Sequence, residues 1–141
     1  MPIYYHINRG KNNLNKKFID NKPLFFSKHK SFWYNFEKEI SKDLNGYIEY
    51  KIFIPKSLFT YSFNPRTKNK IVKITKHNIH EYQCLKDKYR GHNNFIKEMN
   101  KRNIIGIDAT IKLDYKKYKL ETEHPEGYIW KKSPDITITK I

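Results

Sequence analysis

The most regular alternation of apolar and polar side chains runs from Tyr47 to Ile54. Ile48, Tyr50, Ile52 and Ile54 fall on one side, and Tyr47, Glu49, Lys51 and Phe53 on the other. A repeat of two predicts a strand with two unlike faces. Pro55 ends it, because proline has no N–H to give to a ladder. Shorter apolar runs predict further strands at Pro2–Ile7, Leu24–Ser27, Leu58–Phe63, Ile71–Thr75, Tyr128–Trp130 and Ile136–Ile138. The run Asn103–Ile111 reads as an apolar strand with Gly106 and Asp108 inside it.

Spacing changes to the helical period in two places. Phe32, Phe36 and Ile40 share one face of a helix predicted over Ser31–Ile40, with Trp33 beside them. From Ile79 through Tyr82 and Leu85, and again from Phe95 to Met99, the pattern predicts two short helices or one broken at Gly91. Leu113–Leu120, rich in lysine and tyrosine, reads as an exposed hairpin arm. Strands and helices do not alternate regularly, as a doubly wound parallel fold requires. The expectation is an α+β protein: mixed or mostly antiparallel sheets with two to three packed helices, in a single domain spanning residues 1–141.

Composition changes this picture at two points. Hydrophobic residues make up 38% and charged residues 30%, which a disordered chain could share, but an aromatic content of 16% marks a folded core. A chain of this length buries about two-thirds of its unfolded surface, so no disulfide or metal is required to hold it. The one cysteine, Cys84, has no internal partner, and its place in a helical pattern predicts a small buried side chain. The N-terminus lacks the long apolar run of a signal peptide, and no window approaches the roughly 18 apolar residues of a membrane span. A cytosolic, nuclear or particle-packaged protein is expected, rather than a secreted one.

The formal charge is +15, which draws polyanions: nucleic acid, an anionic membrane surface or phosphorylated ligands. Arginine appears only at Arg9, Arg66, Arg90 and Arg102. Lysine acts as a point charge rather than a two-pronged reader of bases, so any nucleic acid would be held without sequence preference. An AT-rich coding sequence also produces this abundance of Lys, Asn, Ile and Tyr. Lysines interleave with aromatics in two stretches, Lys28–Tyr34 and Tyr115–Lys119, where bases could stack while phosphates are tracked.

Nucleotide-cradling glycine motifs are missing from the sequence: there is no P-loop and no G-x-G-x-x-G, and no G-x-S-x-G elbow of a serine hydrolase. His77, His80 and Cys84 have near-helical spacing, but a structural metal site usually needs paired short spacings, so they read as surface residues of a basic helix. The unusual cluster is acidic. Glu121, Glu123 and Glu126 precede the strand at Tyr128, a position from which a carboxylate can act as a base or oppose a developing cation.

In chain order, several short segments resemble the ADP-ribosyltransferases, which cleave NAD and transfer ADP-ribose. The first strand, Tyr4-Tyr5-His6-Ile7-Asn8-Arg9-Gly10, offers His6 or Arg9 where that family carries His or Arg. Phe25-Phe26-Ser27, followed by the aromatic Ser31–Phe36, is similar to its second strand, which ends in serine and leads to a helix. Glu126-Gly127-Tyr128-Ile129-Trp130 resembles the late strand opened by the catalytic glutamate, and Glu121-Thr122-Glu123 resembles its Glu-x-Glu form. Ile105-Gly106-Ile107-Asp108 is similar to the strand often found before it, and Ser133-Pro134-Asp135-Ile136 to the closing Asp-Pro-x-x-Ile. The resemblance implies two packed antiparallel sheets around a cleft for NAD, in an active or degenerate domain. It implies Glu126, or next Glu123, as the catalytic carboxylate, and His6 or Arg9, Ser27 and Tyr34 as residues that hold NAD. The alternative from charge alone is a non-enzymatic, lysine-rich protein that binds or packages nucleic acid.

Overall fold

A computed structural model of the chain describes residues 3–9, 23–28, 47–110 and 126–141. Arg9 and Glu126 are described for their backbone alone. The predicted helix at Ser31–Ile40 and the arm at Leu113–Leu120 lie outside the described residues. Within them the protein is α+β, with eight strands and two α-helices in two sheets.

The smaller sheet is antiparallel. Its centre is β3 (Tyr47–Phe53), flanked by β1 (Ile3–Arg9) and β8 (Thr137–Lys140). The larger sheet is mixed, in the spatial order β2 (Leu24–Phe26), β7 (Glu126–Ile129), β6 (Ile104–Ala109), β5 (Lys70–Lys73), β4 (Phe59–Thr60). β2, β7 and β6 run antiparallel to one another, while β6, β5 and β4 are parallel neighbours. Parallel neighbours need a crossover. Two helices, α1 (Ile79–Lys88) and α2 (His92–Lys101), make the one between β5 and β6.

Three layers result. Tyr4, Ile52, Ile54 and Ile136 from the small-sheet side pack against Leu24, Phe26, Ile71, Ile105 and Ile129 of the large sheet. On the large sheet's other face, Val72, Ile104, Ile107 and Trp130 meet Ile79, Tyr82, Leu85, Phe95 and Met99 of the helices. The large sheet is therefore covered on both faces, which explains why Ile104–Ile107 reads as an unbroken apolar run. A register shift between Lys70 and Ile71 leaves one extra residue in β6, so that Ile104 and Ile107, three positions apart, both face the helices while Ile105 faces the small sheet. Truncating one of these fully buried isoleucines to alanine costs about 2–5 kcal/mol, as for any large-to-small core change.

The strand predicted at Tyr47–Ile54 is realised as Tyr47–Phe53, with Ile52 and, just past its end, Ile54 fully buried. The break at Gly91 is also realised: its φ of 91° is one that a residue with a Cβ adopts only under strain, and α2 starts after it. Two expectations are corrected. Leu58–Phe63 does not form one strand. Lys56–Leu58 makes a single 3-10 turn, and only Phe59 and Thr60 pair. Beyond them Ser62 N–H donates to Thr60 Oγ1 and Asn64 N–H to Ser62 Oγ, local bonds that turn the backbone off the ladder. Cys84 is exposed rather than buried, because the inward face of α1 is set by Ile79, Tyr82 and Leu85.

Candidate functional site

Period-two alternation in β1 turns Tyr4 and His6 inward, where both are buried, and leaves Ile3 exposed and Tyr5 half-buried. β1 is an edge of the small sheet and β2 an edge of the large one. The two edges meet where Tyr5 pairs with Ser27: Tyr5 N–H donates to Ser27 O at 2.7 Å, and Ser27 N–H to Tyr5 O at 3.0 Å. The described backbone thus joins the two sheets directly at Ser27, which is buried.

On its other side β2 pairs with β7, Phe25 opposite Tyr128 and Phe26 opposite Gly127. That ladder ends at Phe26 and Gly127, one residue short of Ser27 on β2's side and of Glu126 on β7, and Glu126 pairs across β7's other edge with Ala109. The segments that carry His6, Ser27 and Glu126, far apart in sequence, are thus neighbours in the backbone. Arg9 does not share this place. It lies four residues along β1 from Tyr5, about 13 Å at strand rise, and pairs with Tyr47. Glu123 and Tyr34 lie outside the described residues, as does Glu121.

His6 is oriented by the fold. Its Nδ1–H donates to the Phe25 carbonyl at 2.7 Å, and the Tyr50 ring lies 6.4 Å away. A carbonyl can only accept, so that bond places a proton on Nδ1 and fixes the tautomer of the neutral ring. Two residues earlier, the Tyr4 hydroxyl donates to Asp108 Oδ2 at 2.7 Å. The N–H and hydroxyl of Thr110 both donate to Asp108 Oδ1. Asp108 faces Gly127 across the β6–β7 ladder, so this buried network borders the same junction. With three donors on its two oxygens, the carboxylate organises its surroundings rather than reacting. Burial above all, and then the charge of Asp108 and the bond to it, push the Tyr4 phenol far above its ordinary value.

Sequence reasoning did not find the Tyr4–Asp108 pair. Nothing local links residues 104 positions apart; the available signals were the inward phase of Tyr4 and the presence of a carboxylate within an apolar strand. It also did not find the polar contact on the helical side, where the Tyr82 and Tyr128 hydroxyls lie 2.8 Å apart and His92 is 6.1 Å from the Tyr128 ring. His77, in the turn before α1, and His80 and Cys84 on α1 are exposed, and among the described residues no three His, Cys, Asp or Glu side chains are grouped to hold a metal ion. Among the same residues no helix is long and apolar enough to cross a membrane.

Comparison of the chain with protein-family models, with curated proteins and with solved structures finds no match in any of the three.

Proposed function

We propose that the chain is an ADP-ribosyltransferase-like domain that takes NAD as its substrate. The observation that carries this reading is the junction of β1, β2 and β7. Segments singled out by the resemblance alone, far apart in the chain, lie on neighbouring strands, as one shared site requires. The backbone bridge between Tyr5 and Ser27, and the β2–β7 register that leads to Glu126, support that convergence. The same geometry favours His6 over Arg9 as the first-strand residue, because His6 adjoins the bridge.

In this reading the bond between nicotinamide and ribose breaks with its electron pair leaving on the nicotinamide nitrogen. The carboxylate of Glu126 opposes the positive charge that develops on the ribose, an electrostatic role that gains strength where water is excluded. Glu123 is the second candidate for that charge. His6 holds the ribose or pyrophosphate by hydrogen bonding, its ring already oriented by the Phe25 carbonyl. Ser27 contributes at the strand end, and Tyr34 stacks on the nicotinamide. An acceptor nucleophile then takes the ribose carbon and gives up its proton.

Calorimetric titration with NAD and measurement of nicotinamide release, on the wild type and on Glu126→Ala, test the assignment. The expected outcome is NAD binding by both proteins within about threefold, with nicotinamide release lowered about 100-fold or more in the variant, the usual scale for losing a group that acts only on transition-state charge. Absence of NAD binding by both proteins overturns the reading. Wild-type release by Glu126→Ala moves the carboxylate role to Glu123.

A further inference from the structure

Between Phe53 and Glu81 the chain holds Lys56, Arg66, Lys68, Lys70, Lys73 and Lys76, and neither Asp nor Glu. It is the longest such acid-free stretch in a chain of 14 acids and 29 bases. This acid-free stretch forms the 3-10 turn, β4, the loop after it, and β5. It is the outer edge of the large sheet, at the opposite end from β2.

Side-chain contacts gather the bases there. Lys70 Nζ donates to the Ser57 carbonyl, which sets it beside Lys56. Lys73 Nζ lies 5.4 Å from the centre of the Phe59 ring on β4. Asn78 Nδ2 donates to the carbonyls of Tyr61 at 3.1 Å and Lys73 at 2.9 Å, while its Oδ1 accepts from Thr75 N–H, so the Tyr61 loop and the turn bearing Lys76 are drawn together. Asn103 Nδ2 donates to the Pro65 carbonyl and holds the loop that carries Arg66 and Lys68. Lys56, Arg66, Lys68 and Lys76 are exposed, and Tyr61 is 63% exposed among them. Of the described acids, Glu81 and Asp87 lie on α1, Glu49 on β3, Glu126 on β7, Asp135 in the turn before β8, and Asp108 is buried; Glu98 on α2 borders the loop but is already paired with Arg102, whose Nη1 donates to Asn64 Oδ1 at 3.3 Å.

Lysine also serves to guard an edge strand against pairing with other chains. That duty calls for charge on the edge strand itself, and β4 consists of Phe59 and Thr60. The bases flank it instead, around an exposed aromatic ring. Lysines that follow phosphates beside an aromatic face for a base are the composition of a single-strand-binding surface, and a lone arginine gives little scope for reading base edges. We propose that this edge docks single-stranded nucleic acid without sequence preference. The surface lies four strand spacings from β2, about 19 Å, and does not depend on the NAD reading.

The test is fluorescence anisotropy with a labelled 20-nucleotide oligothymidylate across a salt titration, with melting curves to check that each variant is folded. The triple variant Arg66→Ala, Lys68→Ala, Lys76→Ala removes three exposed edge charges. The triple variant Lys88→Ala, Lys131→Ala, Lys140→Ala removes three exposed charges from α1, the end of β7 and β8. The edge triple is expected to weaken binding at least tenfold and to flatten the slope of log affinity against log salt by about two, at roughly 0.7 per phosphate contact on a single strand. The control triple is expected to weaken it less than threefold. Tyr61→Ala is expected to weaken it at least fivefold, through loss of stacking. Equal losses in the two triples overturn the proposal, since the field of the whole molecule would then be responsible. Duplex DNA, or vesicles containing phosphatidylserine, binding as tightly and with the same dependence on the edge charges would overturn it too.

Discussion

Tyr4 carries its hydroxyl into the layer between the two sheets, where it meets Asp108 and almost no water. Tyr4→Phe keeps the ring, which packs edge-on against Phe26 at 4.8 Å, and removes only the donor to Asp108 Oδ2. A buried acceptor left without its donor costs about 1–3 kcal/mol, so the variant is expected to be less stable by that amount at neutral pH. The pH dependence separates this from a general packing effect. The phenol's value in the folded protein is raised above the 10.0 of the unfolded chain. Its stabilising contribution is therefore complete below pH 10 and falls as pH rises beyond it, because the unfolded chain gives up a proton that the folded protein retains. The wild type should lose up to about 1.4 kcal/mol per pH unit from this group alone, a loss that Tyr4→Phe lacks. Urea unfolding of both proteins between pH 9 and 11.5 measures the difference, and parallel curves would falsify the assignment. The pair also shows what a single sequence yields at this scale. Alternation tells which way Tyr4 points, while the identity of the group it meets depends on two sheets closing over each other.

At the scale of elements, β7 depends on a missing side chain. A Cβ at Gly127 would stand 2.3 Å and 2.4 Å from atoms of the Phe26 ring and 2.9 Å from the Ile107 carbonyl oxygen. Phe26 is fully buried and cannot swing away, so Gly127→Ala must push β2 and β7 apart. The expected cost is about 1–3 kcal/mol, the scale of overpacking, read as a lower urea midpoint with an unchanged slope. NAD affinity should fall in the same variant, since Ser27 and Glu126 sit on the two strands displaced. The strand Tyr47–Phe53, the helix pair broken at Gly91 and the strand after Asn103 were legible because each is specified by its own period or by one glycine. β4 was not, because its end is set by serine and threonine hydroxyls competing for backbone donors rather than by a change in apolar spacing. For the proposed site, the chain's short segments offered candidates but not their arrangement. The choice between His6 and Arg9 was not legible, for both lie on β1 and only the position of the Ser27 bridge distinguishes them.

For the whole molecule, a formal charge of +15 on 141 residues sets 29 bases against 14 acids. The fold gathers part of that charge at the β4 edge, where the one described acid that borders it, Glu98, is already paired with Arg102. Self-repulsion of this kind opposes the compact state, since unfolding moves the charges apart. It is also screened: the distance over which charges act falls from about 30 Å at 0.01 M salt to about 10 Å at 0.1 M. Stability should therefore rise with ionic strength, by about 1 kcal/mol between 0.01 and 0.3 M sodium chloride, or roughly 3–5 °C in melting temperature for a chain of this size. The edge triple variant, relieved of three crowded charges, should show a smaller rise than the wild type, and the control triple should resemble the wild type. Melting curves at three salt concentrations decide it. An identical rise in all three proteins would mean that the repulsion is spread over the whole surface, and that the β4 edge bears no special share of it.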